Sequence, residues 1–321
     1  MLKVGLTEAV DPSLHALLPA SIDLQIIPLQ PQSPIDVEFW IAPPYMKQAR
    51  QAWQWLRGVR VVQSTLAGVD GLLQFLPRDV TLCDARGVHT IATAEWVLTA
   101  ILASLKYLPL YAEIQRSGLW MRRKEAESRH MVLHSVSAPL YPPVLVDELC
   151  GQRVLIVGHG AIGQAVEERL APFGVEIVRV ARTAREGIHS SDQLPRLLPV
   201  ADIIVLIVPS TTETANLIGA KEIASLKQGA LLVNAARGSV VDTSALLAAL
   251  QSGRIRAALD VTDPEPLPEG HPLWSAPNLL ITPHVAASSP MFMRRAIQCA
   301  AAQIARWQRG EPLENVVTGE Y

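Results

Sequence analysis

Three polar residues have types and positions that suit chemistry on a small organic acid. Arg237 lies in "VNAARGSVVD", Glu265 in "LDVTDPEPLP" and His284 in "ITPHVAAS". Each follows an apolar run that predicts a β-strand, and open parallel sheets bind ligands at the carboxyl ends of their strands. Reduction of a 2-oxo acid needs a cation for the carboxylate, a proton donor for the carbonyl oxygen and a nearby hydride source. The three residues predict this reaction if the chain also holds a hydride donor.

A glycine run predicts how that donor is held. Residues 158–163 read "GHGAIG", directly after the apolar run "RVLIV" (153–157) and at the start of a helical pattern. In this context Gly158 permits a tight turn, Gly160 lets the backbone approach a pyrophosphate, and Gly163 lets helix and strand pack closely. The helix N-terminus offers its N–H groups to the phosphates. The predicted contacts of a dinucleotide are Gly158, Gly160, Ala161, Ile162 and Gly163.

The second strand of such a fold usually ends on an acid that binds the ribose hydroxyls. In "VEIVRVARTARE" (175–186), Ala181 stands about where that acid is expected, and Arg182, Thr183 and Arg185 follow. A carboxylate there would repel a 2′-phosphate, whereas arginine binds phosphate through two parallel charge-assisted hydrogen bonds. The stretch predicts that NADP(H) is preferred and NAD(H) possible, with Arg182 and Thr183 as principal contacts. Two solvated surface arginines are the alternative.

The elements that must position these residues form two series, which indicates two domains in a chain of 321 residues. Predicted strands of the first series are 2–7, 22–27, 37–42, 59–64 and 80–84. Those of the second series are 153–157, 175–180, 202–207, 230–234, 255–259 and 279–282. Continuous apolar runs between helical patterns fit parallel sheets covered on both faces. The expected class is α/β with two doubly wound sheets, and the six later strands suit the order 3-2-1-4-5-6.

Composition excludes several other classes of protein. The net charge of −2 creates no general attraction for nucleic acid or anionic lipid. The longest apolar run, 96–105, is too short to cross a bilayer, so no membrane partner is expected. The three cysteines, Cys83, Cys150 and Cys299, are few and far apart. They fit a reducing compartment, so we expect a cytoplasmic protein without a disulfide framework.

The histidines outside the candidate trio are not expected to bind metal. His130 and His134 are four residues apart, as two ligands on one helix face would be. No acid lies between them and no third ligand is obvious, so the prediction is that there is no metal site. His159, inside the glycine run, is expected to point to solvent or to the edge of the cofactor.

The motifs together resemble those of the D-isomer-specific 2-hydroxyacid dehydrogenases over nearly the whole chain. In the family's order they are "GHGAIG", "VPSTTETANLI", "LLVNAARGSVVD", "ALDVTDPEPLP", "HPLWSAPNLLITPHVA" and "RGEPLENVV". The resemblance implies a discontinuous, flavodoxin-like substrate-binding domain over 1–98 and 288–321. It also implies a Rossmann coenzyme domain over 99–287, with a cleft between the two, and a homodimer formed through the coenzyme domain.

The resemblance also implies roles for individual residues. His284 would be the general acid in reduction and the base in oxidation, and Glu265 would hydrogen-bond the other ring nitrogen and favour the protonated ring. Arg237 would hold the carboxylate and polarise the carbonyl group. Substrate-binding positions would be Leu66, Ala67, Gly68 and Arg237. Further cofactor contacts would be Thr93, Val208, Pro209, Thr214, Ala235, Ala236 and Asp260, with Asp260 meeting the nicotinamide carboxamide.

The expected function is hydride transfer from NADPH to a small 2-oxo acid, giving the D-2-hydroxy acid. In its arginines the chain resembles glyoxylate/hydroxypyruvate reductases, which makes glyoxylate or hydroxypyruvate the expected substrate. In those enzymes an aromatic side chain from the region of "APLYPP" (138–143) can reach a partner's active site; Tyr141 is the candidate here, and a proline-stiffened surface loop is the alternative. A phosphite-type anion dehydrogenase and a dinucleotide-sensing corepressor remain alternative functions.

Overall fold

The computed structural model describes residues 1–318. The strands are β1 (Leu2–Thr7), β2 (Ile22–Ile27), β3 (Ile35–Asp36), β4 (Phe39–Ala42), β5 (Leu56–Arg57), β6 (Val61–Ser64), β7 (Thr81–Cys83), β8 (Arg153–Val157), β9 (Glu176–Ala181), β10 (His189–Ser190), β11 (Ile203–Leu206), β12 (Leu231–Asn234), β13 (Arg256–Leu259) and β14 (Leu279–Ile281). The helices are α1 (Met46–Trp53), α2 (Asp70–Leu73), α3 (Thr90–Leu105), α4 (Leu108–Ser117), α5 (Lys124–Leu133), α6 (Ala161–Leu170), α7 (Leu194–Leu197), α8 (Ala220–Ser225), α9 (Thr243–Gln251) and α10 (Phe292–Gln308).

The chain divides into two compact units. Unit 1 consists of Met1–Thr90 with the segment from Ser288 onward, and unit 2 is Ile91–Ala287. Each unit has a parallel sheet with helices, so the predicted α/β class is confirmed. The first boundary expected from the sequence, after residue 98, falls inside α3. Nearly all of α3 belongs to unit 2 because its buried face packs on that unit's sheet, with Val97 and Ile101 beside Val154.

Unit 1 is built from both ends of the chain. Its main sheet has the order β2-β1-β4-β6-β7, the flavodoxin-like order 2-1-3-4-5 when its strands are counted along the chain. The central strands β4 and β6 are fully buried, as a parallel sheet covered on both faces requires, whereas the edge strand β2 is partly exposed. The last helix, α10, places Ile297, Ala300 and Ile304 in the same core as Val4 and Phe39. This packing makes the segment from Ser288 onward part of unit 1.

Unit 2 has a seven-stranded parallel sheet in the order β10-β9-β8-β11-β12-β13-β14. The six strands predicted in this region are all present, and β10 is an additional one that the sequence did not indicate. Because β10 has only two residues, it contains no apolar run from which it could be recognised. The predicted order 3-2-1-4-5-6 places the third predicted strand, 202–207, at one edge of the sheet. In the structure β10 occupies that edge and β11 lies beside β8, so the order counted along the chain is 3-2-1-4-5-6-7. Because the strands are parallel, all of them end on one side of the sheet and begin on the opposite side. We call the side with the C-terminal strand ends the carboxyl edge and the side with the N-terminal strand ends the amino edge; neither term refers to an edge strand.

The segment 117–148 of unit 2 contains a helix. A short 3-10 turn, Trp120–Arg123, leads directly into α5. Ala126 and Leu133 on α5 are fully buried and pack with Tyr107 and Leu110. These contacts hold α5 against α4, although the helix is mostly polar.

Local sequence explains where the helix that follows β12 begins and ends. Asp242 precedes α9 and its carboxylate accepts a hydrogen bond from the Ala245 N–H at 2.9 Å, which caps the helix. Gly253, with φ +69°, follows the last turn in the left-handed conformation that glycine adopts without strain.

Within residues 1–318, no single helix is both long enough and apolar enough to span a membrane. Only α3 and α4 taken together reach that length and hydropathy, and they are bent by 62° relative to each other.

Candidate active site

The glycine run turns the chain from β8 into α6. Gly158 has φ +105°, and a Cβ at this position would lie 2.1 Å from the carbonyl oxygen of Ile207. A Cβ on Gly163 would lie 2.3 Å from the carbonyl oxygen of Gly158, whereas one on Gly160 would meet no protein atom within 4 Å. The turn is closely packed where it meets protein and open at the N-terminus of α6. These residues therefore fit a pyrophosphate-binding turn.

His159 is buried, so the expectation that it points to solvent was wrong, and its place at the edge of the cofactor stays a prediction. Its side chain is 9% exposed and its Nε2 lies 2.6 Å from Oε2 of Glu167. Glu167 also accepts a hydrogen bond from Arg179 Nε at 2.7 Å. The hydrogen bonds from Arg179 and then His159 hold the pKa of the Glu167 carboxyl below its usual value. This network connects the glycine turn to α6 and β9. Glu167 is eight residues from His159 and twelve from Arg179 along the chain, so no local sequence pattern predicts these contacts.

The residues after β9 lie beside the glycine turn. Ala181 is the last residue of the strand, as expected, and Arg182 and Thr183 are exposed. Arg182 Nε and Nη2 lie 2.8 and 2.7 Å from Oε2 of Glu213. Arg185 Nη2 donates a hydrogen bond to the carbonyl oxygen of His159 at 2.8 Å. Glu213 was not among the predicted site residues. The only sequence signal for it is that an acidic side chain can pair with an arginine.

His284 and Glu265 meet at the carboxyl edge. His284 Nδ1 lies 2.5 Å from Oε1 of Glu265, and their side chains are 50% and 39% exposed. His284 has φ +54°, an uncommon conformation for a residue other than glycine. Its N–H donates to the carbonyl oxygen of Asp260 at 2.7 Å. Because Glu265 engages Nδ1, the ring nitrogen left for a substrate is Nε2.

Asp260 holds the loop that carries His284. Its side chain is 3% exposed, and its carboxylate accepts hydrogen bonds from the Thr282 hydroxyl at 2.6 Å and from the N–H groups of Val285 and Ala286, each at 2.9 Å. These bonds fix the backbone on both sides of His284. Thr282 was missed by the sequence analysis. The contact of Asp260 with a nicotinamide carboxamide stays a prediction.

Arg237 lies on the loop after β12, at the same edge. The strands β12, β13 and β14 are neighbours, so the loops that carry Arg237, Glu265 and His284 leave adjacent strand ends. The buried Asn234 side chain shapes the first of these loops, since it donates to the Arg237 carbonyl oxygen at 2.9 Å and accepts from the Ala236 N–H at 3.0 Å. A Cβ on Gly238 would lie 1.9 Å from the carbonyl oxygen of Thr262, so only glycine fits here.

The other predicted contacts lie on several loops and one helix. Thr214 closes the loop after β11, because its hydroxyl donates to the Pro209 carbonyl oxygen at 2.7 Å and accepts from the Thr211 N–H at 2.8 Å. Thr93, on α3, is 4% exposed. Val208 precedes Pro209, and Ala235 and Ala236 follow β12. Leu66, Ala67 and Gly68 follow β6 in unit 1 and are half-buried. The part of all these residues in binding stays a prediction.

Known proteins with similar sequences and structures identify the family. Residues 98–286 match the family described as D-isomer specific 2-hydroxyacid dehydrogenase, NAD binding domain. A glyoxylate reductase from Aeropyrum pernix is 32% identical over 82% of this chain and 77% of its own length. A D-isomer specific 2-hydroxyacid dehydrogenase from Xanthobacter autotrophicus, solved with NADPH and MES, is 30% identical, covers 98% of both chains and has a TM-score of 0.76. An NADPH-dependent glyoxylate/hydroxypyruvate reductase from Sinorhizobium meliloti, solved with NADP and sulfate, is 26% identical, covers 98% of this chain and 97% of its own, and has a TM-score of 0.78.

The chain belongs to the D-isomer specific 2-hydroxyacid dehydrogenase family. It is an NAD(P)-dependent enzyme of the dehydrogenase or reductase type, acting on 2-oxo or 2-hydroxy acids. The family expected from the sequence motifs is thereby confirmed.

Proposed function

We propose that the protein reduces a small 2-oxo acid such as glyoxylate or hydroxypyruvate with NADPH, and that the product is the D-2-hydroxy acid. The contact between His284 and Glu265 carries the catalytic part of this proposal. It pairs a proton-transferring group with a carboxylate on its other ring nitrogen, half exposed and therefore within reach of a small substrate.

The proposed mechanism assigns one task to each polar group. The nicotinamide cofactor, when bound, supplies the hydride. His284 Nε2 donates the proton to the carbonyl oxygen of the substrate, and Glu265 keeps the proton of Nδ1 in place and stabilises the charged ring. The Arg237 guanidinium holds the substrate carboxylate and favours the negative charge that develops on the carbonyl oxygen. Asp260 keeps the backbone of His284 fixed during the reaction.

The preference for NADPH is supported by the residues after β9. The strand ends on Ala181 rather than on an acid, Arg182 and Thr183 are exposed, and Arg185 reaches the carbonyl oxygen of His159 in the glycine turn. The ion pair of Arg182 with Glu213 has side chains 72% and 62% exposed, so it contributes little to stability and a phosphate group can replace it. The relatives solved with NADPH and NADP point the same way.

Steady-state kinetics of Arg182→Ala test this preference. Loss of charge-assisted hydrogen bonds should lower kcat/KM for NADPH by roughly 10- to 100-fold, about 1.5–3 kcal/mol, and leave kcat/KM for NADH nearly unchanged. Arg196→Ala, which removes an exposed arginine from α7, is the matched control and should alter neither. Equal losses for both cofactors in Arg182→Ala would remove the proposed role of this residue.

We also propose that the enzyme is a homodimer and that segment 117–148 contributes to its interface. Leu119, Trp120, Met121 and Tyr141 in this segment are 60%, 73%, 63% and 100% exposed, which is unusual for large apolar side chains in a monomer. Light scattering coupled to gel filtration should give twice the chain mass. A monomer would exclude the interface, and with it any role for Tyr141 in a partner's site.

A further inference from the structure

A second cluster of titratable side chains lies in unit 2, at the amino edge of its sheet. Helix α5 ends against the residues that lead into β12. Gln228 Nε2 donates to the Val132 carbonyl oxygen at 3.1 Å. A Cβ on Gly229, which has φ +78°, would lie 2.7 Å from the Leu133 carbonyl oxygen and 3.4 Å from Cε1 of His134. Glycine at this position lets the end of the helix approach the sheet and places His134 there.

Two histidines and a carboxylate converge at this point. His130 Nδ1 lies 2.9 Å from Oδ1 of Asp147, and His134 Nε2 lies 3.5 Å from Oδ2 of the same residue. The two imidazole centroids are 4.3 Å apart. One nitrogen of each ring and a carboxylate oxygen all lie within 4.8 Å of one another. Asp147 is the third group that the sequence did not reveal, since it is seventeen residues from His130 and follows a proline-rich stretch.

We propose that His130, His134 and Asp147 form a binding site for a divalent ion of the zinc class. Two imidazoles and one carboxylate are a ligand set that Zn²⁺ prefers, with water in the fourth position. Ligand bonds of about 2.0–2.2 Å place tetrahedral ligand atoms roughly 3.3 Å apart. The separation of 2.9 Å between His130 Nδ1 and Asp147 Oδ1 is near this value, and the three ligand atoms lie within 4.8 Å of one another. The remaining adjustment falls to His134, whose side chain is 35% exposed.

Arg256 is the main group that opposes the binding of a cation at this site. Its side chain is buried, with Nη1 at 2.6 Å from Oδ2 of Asp147 and Nε donating to the Gly229 carbonyl oxygen at 3.2 Å. Its charge weakens the binding of any cation, but it uses only Oδ2 and leaves Oδ1 for the metal. The Tyr107 hydroxyl also contacts Oδ2, at 3.4 Å. Such outer contacts orient a ligating carboxylate.

One further feature favours a cation. The C-terminal end of α5 lies at the site, and the partial negative charge of a helix C-terminus attracts cations.

The position of the cluster, far from His284, indicates that a metal bound there would have a structural role. Arg256 begins β13 and Asp260 follows the end of that strand, so four residues, roughly 13 Å, separate the cluster from the edge that carries His284. Asp147 is tied to the end of α3, because its N–H donates to the Leu105 carbonyl oxygen at 2.9 Å. A metal held here clamps α5 and residue 147 to the sheet and takes no part in hydride transfer.

Co²⁺ and Zn²⁺ binding to the full chain tests the proposal without reference to activity. Protein stripped with a chelator is titrated with Co²⁺, which gives visible absorption bands in tetrahedral sites, and with Zn²⁺ by calorimetry. The wild type should bind one ion per chain and unfold at a higher temperature when Zn²⁺ is present. His134→Gln should weaken binding at least about tenfold and abolish the thermal shift. His189→Gln, which removes an exposed histidine from β10, should change neither.

Two results would overturn the proposal. Binding that is equally tight in His134→Gln would place the metal elsewhere, for example at His284 and Glu265. No stoichiometric binding to the wild type would mean that the cluster is held by hydrogen bonds alone. Asp147→Asn is not used because it leaves Arg256 buried without its carboxylate, and circular dichroism of His134→Gln verifies that this variant is folded.

Discussion

Two histidine–carboxylate contacts lie at opposite edges of the unit 2 sheet, and they differ in burial. At the carboxyl edge, His284 and Glu265 meet at 2.5 Å with side chains 50% and 39% exposed. At the amino edge, His130 and Asp147 meet at 2.9 Å with side chains 14% and 8% exposed. Asp147 alone has a buried arginine partner, Arg256, at 2.6 Å.

The comparison shows that burial determines what a histidine–carboxylate pair can contribute. An exposed pair adds little to stability because water screens the charges, but a substrate can reach it. A buried carboxylate is tolerated only when its charge is matched, so removing its partner is costly. We therefore expect the pair at the carboxyl edge to serve the reaction and the cluster at the amino edge to serve the fold.

Substitution of His284 should give the largest effect on activity. His284→Gln removes the proton donor, so kcat for 2-oxo acid reduction should fall by about 10²- to 10⁴-fold. The temperature of unfolding should stay close to that of the wild type, because the side chain is half exposed. Stopped-flow and steady-state rates of NADPH oxidation measure the first quantity and calorimetry the second. Unchanged kcat would show that another group supplies the proton.

Substitution of Arg256 should lower stability strongly and leave activity unchanged. Arg256→Met leaves Asp147 buried without its main charge partner, which should lower the free energy of unfolding by about 3–5 kcal/mol. kcat per folded molecule should be unaffected. Urea denaturation checks the first expectation, with Arg196→Met on the surface of α7 as a control that should change stability little. A loss below about 1 kcal/mol would mean that the amino-edge cluster does not contribute to the fold as described.

The smallest effect concerns His134 and depends on pH. The folded-state pKa of the Asp147 carboxyl is lowered, partly by His134. Asp147 therefore contributes stability above its unfolded value of about 3.9, and this contribution is lost as the pH falls through the folded value. In chelator-containing buffer, His134→Gln should cost about 1 kcal/mol at pH 7. The difference from wild type should persist at pH 4 and shrink only as the pH falls through the folded-state pKa of the Asp147 carboxyl, well below its usual range.

Urea denaturation across this pH range measures that difference, with His189→Gln as the matched control. A deficit that is already lost at pH 4 would show that His134 does not lower the folded-state pKa of the Asp147 carboxyl as described.

Contacts within short stretches of chain were predictable from the sequence. The strand, glycine turn and helix around residues 153–170 form as expected because the turn's demands on its glycines are local. The positions of Arg237, Glu265 and His284 after successive strands followed from parallel-sheet topology, since all strand ends meet at one edge. The discontinuous unit 1 came from the family's known architecture and not from a local pattern.

Contacts between distant stretches were not predictable. Asp147 and Arg256 are 109 residues apart, and Arg182 and Glu213 are 31 apart, so no periodicity links them. The two-residue strand β10 has no apolar run. The burial of His159 was not predicted because it depends on Glu167 and Arg179, which approach His159 only when α6 and β9 have packed together.

The most direct test of the proposed function is the initial rate of NADPH and NADH oxidation with glyoxylate, hydroxypyruvate, pyruvate and phenylpyruvate. We predict rapid turnover with NADPH and at least glyoxylate or hydroxypyruvate, and slower turnover with NADH. Faster turnover with NADH would contradict the role of Arg182 and its neighbours. No turnover with either cofactor would contradict the assignment of His284, Glu265 and Arg237 to 2-oxo acid reduction.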